Sequence, residues 1–396
     1  MAIKINNSNI TNIKINGIFI GQAKINGNFI FNLVDELLLT YTNYVLSLNF
    51  ETKGIYDVYY ANDNTVLDDY EKICTIDLST NTMASYDYFN NYNIAPVDAT
   101  EIVLCKQSTT EIVATASIPS SLKVNVEEKL FSFSAVSDLH HHYSNEYGAQ
   151  HDVPLMYQFI ENTNSEFICC CGDVTTSANG SNTSNIATEL EEFANYKNTY
   201  STKILYACKG NHDYNISEDD WISYVGYEQN YYFEKGDYLF VFMSLDYSDN
   251  YATATIDWLE DVISDNSDKK ILLFMHFPLP DYAGLPDGTY YGFTEGDSKA
   301  ERIIQMLENN SNIIIFSGHS HYEFKTQENE KKIKTYNRTI SIPSVSLPRD
   351  YNGDYYEDDT HSEGFIVDVY NNGLMLKGVS FINNKYLPLA NYFIEI

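Results

Sequence analysis

The feature that most constrains this chain is a series of five apolar runs of strand length, each followed at once by imidazole, carboxylate or carboxamide side chains. They are "LFSFSAVSDLH" (Leu130–His140), "EFICCCGD" (Glu166–Asp173), "KILYACKGNHD" (Lys203–Asp213), "KKILLFMHF" (Lys269–Phe277) and "NIIIFSGHSH" (Asn312–His321). Runs that are apolar at nearly every position read as central strands covered on both faces. Amphipathic stretches lie between them. In "SKAERIIQMLENN", Ser298 and Glu301 read as a capping box, and Ala300, Ile303, Ile304 and Leu307 fall on one stripe. The fold class is therefore α/β, a class in which ligands bind just past the strand ends. The last stretch, from Gly364, alternates, with turn signals at Asn371–Gly373 and Asn383–Asn384, and reads as antiparallel strands that close the domain.

The five strand ends supply oxygen and imidazole donors and no thiolate, a set suited to divalent Mn, Fe, Zn or Ni. One buried histidine is ordinarily a satisfied core residue. Five such ends in order, in a chain with only nine histidines, are not coincidence. Residues two apart on a strand point the same way, so Asp138 and His140 are expected to reach one ion while His141 faces away, and the same spacing pairs His319 with His321. His142 shares the parity of His140 beyond the strand end and stands as a candidate for touching substrate. His151 and His361 read as surface or pocket-rim residues.

The blocks D-x-H, G-D, G-N-H, H and G-H-x-H, which occur here in order between Asp138 and His321, resemble those of the metallophosphoesterase (calcineurin-like phosphoesterase) superfamily. The resemblance, with the flanking helices and C-terminal strands, covers about two thirds of the chain and implies a four-layer α/β/β/α sandwich. It implies two divalent metal ions, one held by Asp138, His140 and His321, the other by Asn211, His276 and His319, with Asp173 bridging. Such a pair supplies hydroxide at neutral pH for attack on a phosphodiester or phosphomonoester. His212, beside the inferred ligands, is the candidate for protonating the leaving group, with Asn211, His212 and His142 as the substrate-binding candidates. Asp213 reads either as the group that orients His212 or as a turn carboxylate. The chain departs from neighbouring subfamilies: "VTTSANG" follows Asp173 in place of the D-R-G run of the protein serine/threonine phosphatases. Thr176 stands where purple acid phosphatases carry a tyrosine ligand.

Two further segments precede this domain, giving expected units at 1–36, 37–129 and 130–396. The first repeats "IKINNSNITN", "IKINGIFIGQ" and "AKINGNFIFN", with Asn16-Gly17 and Asn26-Gly27 as hairpin turns. Strands this short cannot bury a face alone, so the segment is expected to dock on other structural proteins or on a copy of itself. Its repeats resemble N-terminal segments of phage and prophage tail-associated proteins, which implies a virion or phage-tail-like location. Residues 37–129 alternate in short Tyr- and Val-rich runs and read as an immunoglobulin- or fibronectin-III-like β-sandwich.

With 24 basic and 55 acidic residues the net charge is −31, which disfavours binding to nucleic acid. No signal peptide and no membrane span is visible, so the chain is expected to be soluble. Cys169, Cys170, Cys171 and Cys208 lie in apolar runs and read as buried thiols; Cys74 and Cys105 also read as unpaired. The expectation is a dinuclear phosphoesterase, with a cell-surface phosphodiester polymer as a coherent substrate. The alternative is a structural or adhesion protein of a phage-like particle with a vestigial phosphoesterase fold.

Overall fold

The computed structural model describes residues 14–15, 18–19, 24–25, 28–29, 37–42, 45–80, 83–86, 94–141, 149–176, 185–247, 250–284, 292–293, 296–324, 335–350, 354 and 361–396. At the N-terminus, β1 (Lys14–Ile15) pairs with β2 (Ile18–Phe19) and β3 (Lys24–Ile25) with β4 (Asn28–Phe29). Ile15 lies opposite Ile18 and Ile25 opposite Asn28. The expected Asn-Gly turn residues themselves lie outside the described residues.

Residues 37–129 carry two antiparallel sheets. One is formed by β5 (Leu38–Thr42), β6 (Val45–Asn49) and β10 (Met83–Tyr86). The other is formed by β7 (Ile55–Asn62), β8 (Thr65–Val66), β9 (Cys74–Asp77), β11 (Glu101–Lys106) and β12 (Ile112–Ser117). Leu48 and Phe50, from or beside the smaller sheet, share an apolar cluster with Tyr56, Val58, Tyr60, Ile102 and Leu104 of the larger one. This unit is fastened to the end of the chain. Glu71 N donates to Tyr386 O at 2.9 Å, Tyr386 N donates to Asp69 O at 2.8 Å, and the rings of Tyr70 and Tyr386 lie 5.1 Å apart.

Two six-stranded sheets follow. The first has the order β15-β14-β13-β22-β23-β24, with β13 (Lys129–Val136), β14 (Phe167–Cys170) and β15 (Ile204–Ala207) parallel, and β22 (Glu363–Tyr370), β23 (Gly373–Ser380) and β24 (Lys385–Glu395) antiparallel. The second runs β16-β17-β18-β19-β21-β20. Its β17 (Tyr238–Met243), β18 (Lys270–Met275), β19 (Ile313–Ser317) and β21 (Thr339–Ser341) are parallel, with β16 (Tyr231–Lys235) and β20 (Thr335–Tyr336) antiparallel at the edges. The closing antiparallel strands are those expected from the alternation after Gly364.

The two-residue period of each strand divides its side chains between two cores. Phe133, Phe167, Cys169, Phe240, Phe274 and Phe316 gather in one cluster drawn from both sheets. Val136, Ile168, Cys170 and Leu205 instead pack with α1 (Ala149–Glu161), α2 (Ile186–Tyr200) and α3 (Glu218–Val225). Leu239, Val241, Leu273 and Ile315 pack with α4 (Thr253–Asp265) and α5 (Ser298–Asn309). The strands therefore read as continuously apolar because both of their faces are covered. Cys169, Cys170, Cys171 and Cys208 are buried free thiols.

One expected detail shifts by a residue. The cap of α5 is Asp297, whose carboxylate accepts Lys299 N at 2.8 Å, and Ser298 is the first helical residue. Aspartate is as good an N-cap as serine, and the residue that precedes the turn takes the role. The buried stripe is Ala300, Ile303, Met306 and Leu307, with Ile304 partly covered.

Phe133 joins the sheets. It stacks on Phe167 at 5.8 Å and meets Phe240, Phe274 and Phe316 of the other sheet at 5.3, 6.0 and 6.0 Å. Phe133→Ala is expected to cost about 3–5 kcal/mol, read as a lower urea midpoint for this domain.

Candidate metal centre

The five runs end on the same side of the two sheets, and their terminal residues converge. Asp138, His140, Asp173 and His321 form one group of potential ligand atoms within 4.8 Å of one another, and Asp173, His276 and His319 form a second. Asp173 belongs to both. Asn211 joins them through its Oδ1, which lies 2.8 Å from His276 Nε2. The strands come from both sheets: β13, β14 and β15 lead to Asp138, Asp173 and Asn211, and β18 and β19 lead to His276 and His319.

The local conformation corrects the parity argument. β13 ends at Val136 and β19 at Ser317, so Asp138, His140, His319 and His321 lie in loops. What aligns them is a repeated left-handed backbone: φ is 56° at Asp138, 46° at His140, 50° at Asp173, 65° at His319 and 60° at His321. Each such residue costs about 1–3 kcal/mol and persists where its surroundings impose it. The surroundings here are specific. Ser344 Oγ donates to Asp138 O at 3.1 Å, Ser346 Oγ to Leu139 O at 2.6 Å, and Val345 N to Ser137 O at 3.1 Å. No local signal marks these serines, because their partners are backbone carbonyls far away in the chain.

Close backbone approach completes the frame. A Cβ on Gly210 would run into Asp173 Oδ1, and one on Gly318 into Ser137 Oγ. His212 N donates to the same Asp173 Oδ1 at 2.7 Å, which leaves Oδ2 aimed at the histidines. That oxygen is 3.2 Å from His276 Nε2 and 3.8 Å from His140 Nε2.

Ring tautomers test whether a cation fits. Carbonyl oxygens only accept, so His276 Nδ1 donates to Cys171 O and His321 Nδ1 to Leu347 O, each at 2.7 Å. Both rings are thereby oriented with Nε2 toward the centre, as metal-ligating imidazoles are. His321 Nε2 lies 2.9 Å from Asp138 Oδ1 and 3.3 Å from His140 Nε2. Two imidazole nitrogens and a carboxylate oxygen this close in a buried space form a set that a positive centre among them would satisfy. The donor set fits a hard or borderline divalent ion.

Electrostatics agree with this crowding. Burial would raise the carboxyl of Asp173, but the imidazoles of His276 and His212 hold it well below the usual range. Asp138 is likewise lowered against its burial, chiefly by His321. Burial depresses His276, and the charge of Asp173 outweighs it and lifts the imidazole to about 9. His319 is pushed down to about 3 by burial and the neighbouring His276, and His140 is held well below its ordinary value by burial. A proton on His276 and a divalent ion compete for the same space, so ion binding would release protons.

The remaining candidates separate. His141 is buried against α2, with Nδ1 3.3 Å from Glu192 Oε2 and its ring beside Phe193 and Tyr196; it belongs to neither ligand group. His142 lies outside the described residues. His212 is beside the centre, its ring 5.0 Å from that of His140. Asp213 does not take the orienting hydrogen bond: His212 Nδ1 donates to Thr176 O at 2.7 Å. The Asp213 carboxylate is turned into the backbone, accepting from Val174 N and Gly210 N at 3.0 Å and from Thr175 N at 2.8 Å. Three amide donors satisfy a buried carboxylate better than one imidazole would. Burial and the charge of Asp173 raise Asp213 to about 6. His151 is ion-paired to Asp152 at 2.8 Å, and His361 lies 3.4 Å from Glu323; both are away from the two ligand groups.

His140→Ala is expected to remove bound metal, measured per chain by atomic emission. His141→Ala should keep the metal and lose roughly 1–3 kcal/mol of stability, and equal metal loss from both would contradict the placement of His141. Gly210→Ala should displace Asp173 and weaken metal affinity by about 10–100-fold, read by competition with a chromogenic chelator.

Residues 131–323 match the profile of the calcineurin-like phosphoesterase family. Similar solved structures include a dimetal phosphatase from Danio rerio (13% identity, 66% of this chain and 99% of that one, TM-score 0.48). Others are a conserved uncharacterized protein from Streptococcus pneumoniae described as a predicted phosphoesterase (13%, 67% and 98%, TM-score 0.31) and Vacuolar Protein Sorting 29 from Cryptosporidium parvum (12%, 68% and 99%, TM-score 0.33). No curated protein matches the chain. On the family match and the His/Asp cluster, residues 131–323 are a calcineurin-like phosphoesterase domain, and the chain that carries it is a metal-dependent phosphoesterase.

Proposed function

We propose that this domain hydrolyses phosphate esters at a dinuclear centre. Asp138, His140 and His321 hold one ion, Asn211, His276 and His319 hold the other, and Asp173 bridges them. The observation that carries the reading is the pair of ligand groups that share Asp173. When bound, two such ions neutralise phosphate oxygens and make water a nucleophile at neutral pH. The chain's own part is to hold the donors rigidly. The Nδ1 bonds of His276 and His321 fix both rings, and the short amide bond to Asp173 Oδ1 fixes the bridging carboxylate. His212, tied at Nδ1 to Thr176 O, is the general acid for the leaving-group oxygen in this reading.

The same reading extends to architecture and substrate. The three apolar clusters support an α/β/β/α layering of the domain. The two antiparallel sheets that share one core support an immunoglobulin- or fibronectin-III-like unit at 37–129. The units are then 1–36, 37–129 and 130–396, the first serving attachment to a phage-tail-like particle. A cell-surface phosphodiester glycopolymer is the proposed substrate, on the tail-like reading of the repeats in the first unit.

Turnover of an aryl phosphodiester or monoester should disappear on chelation and return with Mn or Zn. Asp173→Ala should abolish turnover and metal retention while keeping the circular dichroism spectrum. A metal-loaded chain that cleaves no phosphate ester would overturn the proposal, and one that cleaves small nucleotides but spares glycopolymers would overturn its substrate.

A further inference from the structure

We propose that Glu189, on α2, is a positioning residue for His212, acting through the backbone of Thr176. The proposal rests on the reading of His212 as the proton donor. Glu189 is fully buried, an unusual place for a carboxylate, since removing its charge from water costs several kcal/mol unless hydrogen bonds compensate. Its Oε2 accepts Thr176 N at 3.1 Å. The same N–H also points at His141 O, 3.1 Å away, so Thr176 is gripped from two sides. On its other side Thr176 offers its carbonyl to His212 Nδ1 at 2.7 Å.

The grip matters because nothing in the preceding strand fixes Thr176. β14 ends at Cys170 and α2 begins at Ile186, so Thr176 belongs to neither element. Asp213 anchors Val174 and Thr175, and stops one residue short of the carbonyl that His212 uses. Glu189 extends the anchoring to that residue, from an element that does not carry a ligand of the centre. Holding Thr176 O in place holds the His212 ring, tied at Nδ1, 5.0 Å from the ring of His140 at the centre.

In the step this serves, water's oxygen forms the new bond to phosphorus and releases its proton to solvent as the ester P–O bond breaks, and solvent afterwards returns a proton to His212. The electron pair of the broken bond leaves with the alkoxide oxygen, which takes the proton from His212 Nε2. A p-nitrophenolate leaving group is stable without that proton; an alkoxide is not. A misplaced His212 therefore penalises alkyl esters selectively, which a general loosening of the fold does not.

The test compares kcat on bis-p-nitrophenyl phosphate and on a dialkyl phosphodiester, in the full metal-loaded chain. Glu189→Ala is expected to lower kcat on the dialkyl ester at least about tenfold more than on the aryl ester, a fraction of the 10²–10⁴-fold a general acid supplies. Metal content per chain should be unchanged. Glu189→Gln, whose amide oxygen still accepts Thr176 N–H, should restore most of the loss. In a His212→Ala background Glu189→Ala should add no further leaving-group selectivity. Selective loss in His212→Ala but equal loss on both esters in Glu189→Ala would overturn the positioning role and leave the general-acid reading standing. No selectivity in His212→Ala would overturn both. If Glu189→Ala does not fold, Glu189→Gln and Glu189→Asp replace it. Selective loss in Glu189→Asp with parental selectivity in Glu189→Gln supports the proposal, and parental selectivity in Glu189→Asp overturns it.

Discussion

Everything around the centre depends on where the Nδ1 protons of its histidines go. His276, His321 and His212 each spend Nδ1 on a backbone carbonyl, at Cys171, Leu347 and Thr176. For His276 and His321 that choice turns Nε2 inward, to 3.2 Å from Asp173 Oδ2 and 2.9 Å from Asp138 Oδ1, a buried donor set that suits a cation. The fold tolerates this arrangement because the carbonyls belong to segments fixed by strands, serines and glycines. Metal affinity is thus a property of the backbone around the site as much as of its side chains.

The cost appears in the backbone. Five of the candidate ligands adopt left-handed φ values, and the loops that carry them are pinned from outside by Ser344, Ser346 and Asp213. Aspartate and histidine tolerate this conformation better than β-branched residues do. A D-x-H or H-x-H pair in alternating left-handed loops presents both side chains on one side, the same outcome that strand parity would give. Asp138 and His140 accordingly fall in one ligand group, whereas His319 and His321 do not share one: His321 joins Asp138 and His140, and His319 joins Asp173 and His276.

Two carboxylates beside the centre have roles that differ from those of ligands. Asp213 fastens the loop after Asp173 to the turn at Gly210, and Glu189 reaches the same loop from α2. Helix and loop are thereby connected to the donor of the proposed acid step. Farther away, the β-unit is tied to the last strand by paired backbone bonds at Asp69, Glu71 and Tyr386, so it is held on the domain rather than tethered loosely.

The sequence by itself determined the α/β class, the continuously apolar strands and the identity of the converging donors. Those follow from local composition and order: an apolar run needs cover on both faces, and imidazole and carboxylate groups at five successive strand ends have few other uses. It misplaced the cap of α5 by one residue, because aspartate and serine serve equally and only the turn geometry chooses. It left Asp213 between two roles, and only the tertiary structure decided, by surrounding that carboxylate with three backbone amides. Glu189, Ser344 and Ser346 carried no local signal, since each acts on a backbone atom supplied by a segment distant in the chain. Side-chain type is written in the sequence; which backbone group it meets is decided by packing.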